Sequence, residues 1–230
     1  MRNLIVVPAR GGSKGIPKKN IYPINGKPLL EYTLDVFVRA KLNGVIVVST
    51  DSEEIAEVAR KYEEVVVIKR PDELSVDNSR TEDALLHALD VIEESTGDVF
   101  DTIITAQPTS PLRTVETIQN FVNTFEDNYK KYDAQLTFTE TKADMWRKDE
   151  QGQFMRLFPE APRRRQERES LYVENSMLYI TKVQALRDTQ SVMGSKVGAF
   201  VIDEIEGLDI NELNDIYLTE FYLKKFDKFY

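Results

Sequence analysis

Short apolar runs alternate with segments of helical periodicity through the first 125 residues of this 230-residue chain. An apolar run bounded by turn residues is typical of a buried parallel strand, and apolar residues three and four positions apart indicate a helix. Their alternation predicts an α/β fold with a mostly parallel sheet, flanked by helices on right-handed crossovers. The predicted strands are residues 4–7, 45–49, 65–68 and 102–106, and the predicted helices follow the candidate caps Asp51 and Ser52 or span 81–94 and 114–125.

The pattern breaks after Thr139, where residues 140–170 lack a clean period. Later segments at 178–180 and 197–202 predict returning strands, and 217–226 predicts a terminal amphipathic helix. The length suits one domain, so we interpret the chain as a single domain over residues 1–230. Residues 140–170 are then an excursion within it, and we expect them to form a dimerisation arm.

The turn after the first predicted strand is rich in glycine and in positive charge. Residues 8–20 read PARGGSKGIPKKN and include Arg10, Lys14, Lys18 and Lys19. Glycine lets backbone N–H groups approach a ligand, and cations neutralise it, so this position in an α/β chain predicts a phosphate site. The glycine spacing matches neither G-x-G-x-x-G nor a P-loop. The alternative is a mobile basic turn on the surface.

The charge balance restricts the class of ligand. The chain carries 39 acidic and 30 basic residues, a net charge of -9, which argues against general nucleic-acid binding. Basic residues cluster at 10–19 and 163–168, which suits a small anionic ligand. There is no cysteine, so disulfide and thiolate chemistry are excluded. No apolar stretch approaches membrane-spanning length and a predicted strand follows the N-terminus directly, so we expect a soluble cytoplasmic protein.

Two motifs follow the predicted strands 65–68 and 102–106. Residues 107–113 read QPTSPLR, in which two prolines stiffen the chain and Gln107 offers an amide; a rigid strand-to-helix connection is the alternative interpretation. Residues 69–74 read KRPDEL, and the guanidinium of Arg70 can stack on a base or donate hydrogen bonds to it. Thr81 is either a hydroxyl contact or the N-cap of the next helix.

The last third of the chain holds three further motifs. RRRQER at 163–168 is either a solvated charged face or an anion contact. NSMLYI at 175–180 lies in a predicted strand. In GLDINELND, Asp209 and Asn211 alternate, so both side chains can reach one metal ion from an extended segment. Asn211 can instead be the N-cap of the terminal helix.

These motifs together resemble the signatures of the acylneuraminate cytidylyltransferases (CMP-sialic acid synthetases). They come in the family's order and at family-like distances over nearly the whole chain. The resemblance implies a Rossmann-like nucleotidyltransferase that joins CMP from CTP to the anomeric hydroxyl of a sialic-type (nonulosonic) acid and releases pyrophosphate, with Mg²⁺ as cofactor. It also implies a homodimer in which the excursion of one subunit helps to close the partner's sugar site.

The resemblance further implies roles for the residues at matching positions. Arg10 and Lys19 are the expected catalytic residues, since they would hold the triphosphate and stabilise developing charge. The expected nucleotide-binding residues are Arg10, Gly11, Gly12, Ser13, Lys19, Asn20, Arg70 and Thr81. The expected substrate-binding residues are Gln107, Arg165, Gln166, Asn175 and Tyr179. The expected metal ligands are Asp209 and Asn211.

Two residues depart from the family pattern. Ser176 stands where the family usually has glycine, so a positive φ there would strain the backbone and alter the sugar pocket. Asn211 replaces a second aspartate and brings no charge, which predicts a weaker metal site. These departures leave open another sugar acid (legionaminic, pseudaminic or eight-carbon), another nucleotide, or a catalytically weak nucleotide-binding protein. A dinucleotide-dependent oxidoreductase shares the fold class but needs the absent G-x-G-x-x-G.

Overall fold

A computed structural model describes residues 1–13 and 15–226, so Lys14 of the basic turn and residues 227–230 lie outside the described residues. The strands are β1 Asn3–Pro8, β2 Pro23–Ile24, β3 Lys27–Pro28, β4 Gly44–Thr50, β5 Val65–Lys69, β6 Thr102–Ala106, β7 Ala134–Thr141, β8 Trp146–Lys148, β9 Phe154–Arg156, β10 Leu171–Lys182 and β11 Val197–Ile202. The helices are α1 Leu29–Ala40, α2 Glu53–Ala59, α3 Thr81–Thr96, α4 Val115–Asp127, α5 Val183–Thr189 and α6 Leu213–Lys225.

A seven-stranded sheet of order β11-β7-β10-β6-β1-β4-β5 forms the centre of the fold. Its pairs are parallel except that β10 runs antiparallel to both β6 and β7. The predicted mostly parallel sheet with flanking helices is therefore confirmed. β1, β4, β5 and β6 all end at the same edge of the sheet, which is where ligands bind in such folds.

Alternation along β1 divides the core between the two faces of the sheet. Ile5 and Val7 pack with side chains of α1, α2 and α4, whereas Leu4 and Val6 pack with those of α3 and α5. Burial on both faces explains why the central strands read as continuous apolar runs. A third apolar cluster lies between loops and α6 and includes Ile16, Leu112, Ile210, Ile216 and Leu223.

Several elements were not predicted, or not at their full length. α1, α5 and β7 were not predicted, and β10 extends well beyond the predicted 178–180. The first half of β10 is largely exposed, so its sequence lacks an apolar run, and its strand conformation comes from pairing with β7. α6 begins at Leu213 rather than at 217 because Glu212 and Asp215 form a capping box there.

The excursion contains a small antiparallel hairpin of β8 and β9. The Asp144 carboxylate forms ion pairs with three arginines of the excursion, Arg156, Arg163 and Arg168, at 3.0, 3.2 and 3.4 Å. Large apolar side chains remain exposed on it, namely Trp146, Phe154, Met155, Leu157 and Phe158. Its role in dimerisation stays a prediction. None of the helices in the described ranges combines the length and apolar character that a membrane span requires.

Candidate active site

A cavity of about 430 Å³ opens at the carboxyl ends of β1, β5 and β6. It brings together residues from both ends of the chain, from the glycine-rich turn to the segment before α6. The predicted site residues that line it are Arg10, Gly12, Ser13, Lys19, Asn20, Arg70, Thr81, Gln107 and Asn211. Gly11, Arg165, Gln166, Asn175, Tyr179 and Asp209 are not in its wall.

The glycine-rich turn is anchored by hydrogen bonds at both ends. The N–H of Gly11 donates to Asp51 Oδ1 at 2.8 Å, so this amide holds the turn against the end of β4 rather than facing the cavity. Asn20 Nδ2 donates to the carbonyl of Arg10 at 2.9 Å. Asp51 thus orders the turn, and only its neighbour Ser52 caps α2, by accepting from the N–H of Ile55.

Lys19 and Arg70 reach the cavity from partly or fully buried positions. Lys19 Nζ donates to the carbonyl of Ile210 at 2.7 Å, and burial lowers the pKa of Lys19 although Asp209 and Asp215 oppose this effect. Arg70 is 5% exposed and donates to Ser49 Oγ at 3.1 Å and to the Ser49 carbonyl at 2.7 Å. Burial also lowers the pKa of Arg70. Both charges are held in place chiefly by backbone oxygens.

The loop before α3 adds groups that the sequence interpretation missed. Arg10 Nη1 lies 2.9 Å from Asp77 Oδ1, and Arg80 also lines the cavity. Among the described lining residues, Asp77 is the one carboxylate facing four cations, so the cavity suits a polyanion. The available signal was position, since residues 77–80 form a polar run between KRPDEL and a predicted helix. Thr81 is the first residue of α3 and the N-cap is Arg80, so the N-cap alternative for Thr81 is wrong.

The QPTSPLR turn forms another wall of the cavity, and the buried side chain of Arg113 holds its backbone. Arg113 is 2% exposed and donates through Nε to the Ser110 carbonyl at 2.9 Å and through Nη2 to the Gln107 carbonyl. Burial lowers the pKa of Arg113 to about 9. The carbonyl of Thr109 accepts from the N–H of Ile210 at 2.8 Å. The turn is therefore a rigid connection and a cavity wall at once.

Asp209 and Asn211 lie side by side, with Asn211 Nδ2 donating to Asp209 Oδ2 at 2.8 Å. The N–H groups of Asn211 and Glu212 both donate to Asp215 Oδ2 at 2.8 Å, and Glu212 is the N-cap of α6. The N-cap alternative for Asn211 is therefore wrong. Residues 1–13 and 15–226 contain no group of three or more His, Cys, Asp and Glu side chains placed to hold a metal. Two oxygen donors fit Mg²⁺, which keeps waters and phosphate oxygens among its ligands, better than a metal held by protein alone.

Asn175 and Tyr179 lie together on β10, outside the cavity wall. Asn175 Oδ1 accepts from Thr137 Oγ1 at 2.7 Å, and the Tyr179 hydroxyl donates to Glu174. Burial and the Glu174 carboxylate raise the pKa of Tyr179, and the charge of Asp209 adds to this effect. The pair therefore lies near the segment that carries the expected metal ligands.

Ser176 has a φ of 59° beside an irregularity in the pairing of β10 with β7. The condition under which strain was predicted at this position, a positive φ, is therefore met. Arg165 and Gln166 are exposed on a short 3-10 helix of the excursion, and neither lines the cavity of its own chain. Their expected contact with a partner's site stays a prediction.

Comparisons with known proteins identify the family of this chain. A family model described as cytidylyltransferase matches residues 4–216. The post-translational flagellin modification protein B of Campylobacter coli is 31% identical over 96% of this chain and 95% of its own length. The CMP-N,N'-diacetyllegionaminic acid synthase of Legionella pneumophila is 32% identical over the same shares.

The fold has a solved counterpart as well. The structure of CMP:2-keto-3-deoxy-manno-octonic acid synthetase complexed with CTP aligns with a TM-score of 0.66 over 98% of this chain and 99% of that chain, at 13% identity. At that identity the likeness speaks for the fold alone. The match of the family model over most of the sequence carries the assignment, and the chain belongs to the cytidylyltransferase family.

Proposed function

We propose that this protein transfers CMP from CTP to the anomeric hydroxyl of a sialic-type (nonulosonic) sugar acid and releases pyrophosphate. The observation that carries the proposal is the convergence of Arg10, Lys19 and Arg70 on one cavity in a chain of the cytidylyltransferase family. The diacetyllegionaminic acid in the name of the Legionella relative supports a nonulosonic acid as the acceptor.

In the proposed reaction the sugar hydroxyl attacks the α-phosphorus in line, so the protein contributes mainly position and charge. Arg10 and Lys19 pair with the triphosphate and stabilise the charge that develops on it. Arg70 and Thr81 contact the cytosine end of the nucleotide. Gln107, at the end of β6, faces the acceptor.

The cofactor in this proposal is Mg²⁺, which the side-chain oxygens of Asp209 and Asn211 would hold. When bound, the ion neutralises phosphate charge and makes the attacking hydroxyl more acidic. The chain's own residues set the position of this site, because Asp215 fixes the backbone of Asn211 and Lys19 holds the carbonyl of Ile210.

The test is pyrophosphate release from CTP and Mg²⁺ with a panel of acids: N-acetylneuraminic, legionaminic, pseudaminic and an eight-carbon acid. Release that depends on one of these acids supports the proposal and identifies the acceptor. Equal or faster release with GTP would contradict the assignment of CTP. CTP binding without release for every acid would favour a nucleotide-binding protein of weak activity.

A matched pair of lysines tests the site itself. Lys19→Ala should lose most of the turnover at saturating CTP. Lys18→Ala is the control, because Lys18 does not line the cavity and its Nζ pairs with Glu54 on the surface at 2.7 Å. Near-normal turnover in Lys19→Ala would remove Lys19 from the mechanism.

We also propose a cytoplasmic homodimer in which residues 140–170 close the partner's sugar site. The exposed apolar side chains of the excursion and the exposed position of Arg165 support this proposal. A mixture of Lys19→Ala and Arg165→Ala subunits tests it, since a mixed dimer would contain one site with both residues intact. Recovery of activity on mixing is expected. Two inactive variants that stay inactive in verified mixed dimers would contradict a site shared between subunits.

A further inference from the structure

Arg113 is a buried cation whose guanidinium carbon lies 5.9 Å from the centre of the Phe37 ring. Its guanidinium forms no ion pair within the described parts of the chain, and its Nη1 is buried without a hydrogen-bond partner there. Its remaining N–H groups donate to the carbonyls of Gln107 and Ser110, which closes the QPTSPLR turn. A neutral side chain of similar size would occupy this space without the cost of desolvating a charge.

The turn that Arg113 closes is connected to the expected metal ligands. The carbonyl of Thr109 accepts from the N–H of Ile210 at 2.8 Å, and the carbonyl of Ile210 accepts from Lys19 Nζ at 2.7 Å. The peptide groups of Ile210 therefore join the turn to the phosphate-binding lysine. Because Ile210 lies between Asp209 and Asn211, any shift of the turn is transmitted to both ligands.

Apolar packing reinforces the same junction. Ile16 of the glycine-rich turn, Leu112 of the QPTSPLR turn and Ile210 belong to one buried cluster and are each at most 1% exposed. The three loops that carry the site thus pack into one apolar cluster together with residues of α1 and α6. Since interiors are close-packed, a displacement at Leu112 is felt at its neighbours.

We propose that Arg113 is a positioning residue for the transfer reaction, acting through Thr109 and Ile210 on the placement of Asp209 and Asn211. The inference rests on the proposed function and deepens it. Arg113 lies outside the cavity wall and touches no group that reacts, so it acts through the turn that it holds. Its effect should be larger on kcat and on metal affinity than on the binding of CTP.

The experiment compares Arg113→Met and Arg113→Lys with Leu89→Ala, a control in the fully buried core on the α3 face of the sheet. A misplacement approaching 1 Å costs about 10²-fold in rate, so kcat of Arg113→Met should fall by that order while the Kd for CTP changes far less. Arg113→Lys keeps the charge but replaces the planar guanidinium fork with a single ammonium group, so its loss should be intermediate. Leu89→Ala should lower the melting temperature and leave kcat and the Kd for CTP unchanged.

A second measurement does not require turnover. Binding of Mn²⁺ in the presence of CTP, followed by electron paramagnetic resonance, should weaken about 10-fold in Arg113→Met and not in Leu89→Ala, as expected when the support of a metal ligand is lost. Losses of kcat in Arg113→Met and Asp209→Asn should not multiply in the double variant, because both act through one segment.

Wild-type kcat and Mn²⁺ affinity in a folded Arg113→Met would overturn the proposal, and so would losses that multiply. If Arg113→Met does not fold, the same two comparisons in Arg113→Lys decide. Failure of the proposed function appears separately, as wild-type protein that releases no pyrophosphate with any acid. The Mn²⁺ comparison then still decides the role of Arg113.

Discussion

Gly15→Ala tests the contact between the glycine-rich turn and the segment before α6. A Cβ built at Gly15 lies 2.5 Å from the carbonyl oxygen of Asn211. Since carbon and oxygen atoms in close contact are about 3.3 Å apart, the two segments must separate by roughly 0.8 Å. The Asn211 backbone cannot yield freely, because its N–H is bonded to Asp215 and the neighbouring Ile210 is bonded on both sides.

The size of the expected effect follows from this geometry. Overpacking of a fixed contact costs about 1–3 kcal/mol, and in a domain of this length each kcal/mol lowers the melting temperature by about 2–4 °C. Displacing the expected phosphate-binding turn from the expected metal ligands by a similar distance should reduce turnover by about 10²-fold. Thermal unfolding and sugar-dependent pyrophosphate release measure the two effects independently.

Gly12→Ala is the matched control on the same turn, because a Cβ at Gly12 meets nothing within 4 Å. It lines the cavity, so its substitution can affect CTP binding but should leave the melting temperature unchanged. A Gly15→Ala protein with wild-type melting temperature and turnover would refute the reasoning, since the turn and Asn211 would then not be in fixed contact. Equal destabilisation in both variants would refute it as well.

Three further predictions concern single residues. Ser176 has a left-handed backbone (φ 59°), which costs a residue with a Cβ about 1–2 kcal/mol. Ser176→Gly removes this cost, but glycine has greater freedom in the unfolded chain, so the free energy of unfolding measured in urea should rise by only about 0.5 kcal/mol. A fall in that free energy would contradict the prediction. Because burial lowers the pKa of Lys19 below the ordinary 10.5 and the protonated form binds phosphate, kcat/KM should decline on the alkaline side below that pH. Lys19→Arg should move this decline to higher pH, and an unmoved profile would mean that another group titrates. Asn211→Asp places two carboxylates together, so its melting temperature should fall in chelator and rise more than that of the wild type on adding Mg²⁺; equal rises would argue against this metal site.

The central strands β1, β4 and β6 were predictable because they are largely buried on both faces, although the buried half of β7 was not predicted. β6 and β11 have the predicted limits, and β1, β4 and β5 differ from theirs only at the ends. The first half of β10 could not be predicted in this way, because it is exposed and obtains its hydrogen bonds from a distant strand. The local sequence often indicates that a strand is buried, but it does not indicate which distant segment the strand pairs with.

At the site, too, local motifs could be predicted from the sequence, whereas contacts between distant residues could not. Motif order identified Arg10, Lys19 and Arg70, which line the cavity, and the departure from glycine singled out Ser176, whose φ is positive. The pairing of Asp77 with Arg10 was missed, since the two residues are 67 positions apart and neither motif names the other. The bond from Lys19 to Ile210 spans 191 positions and has no local signature.

The hydrogen-bond partners of the buried cations explain how a protein of negative net charge maintains a positively charged cavity. Within the described parts of the chain, Lys19, Arg70 and Arg113 donate to main-chain carbonyls, and none of them forms an ion pair within 4 Å. A carbonyl dipole orients an ammonium or guanidinium group without cancelling its charge, whereas a carboxylate partner would have to be displaced by the triphosphate. Arg10 and Arg80 are the exceptions, because Arg10 pairs with Asp77 and Arg80 lies 3.7 Å from Glu82. Under the proposed function, an incoming phosphate competes with a carboxylate at Arg10 and at Arg80, whereas at Lys19 and Arg70 it meets charge that is already positioned by main-chain carbonyls.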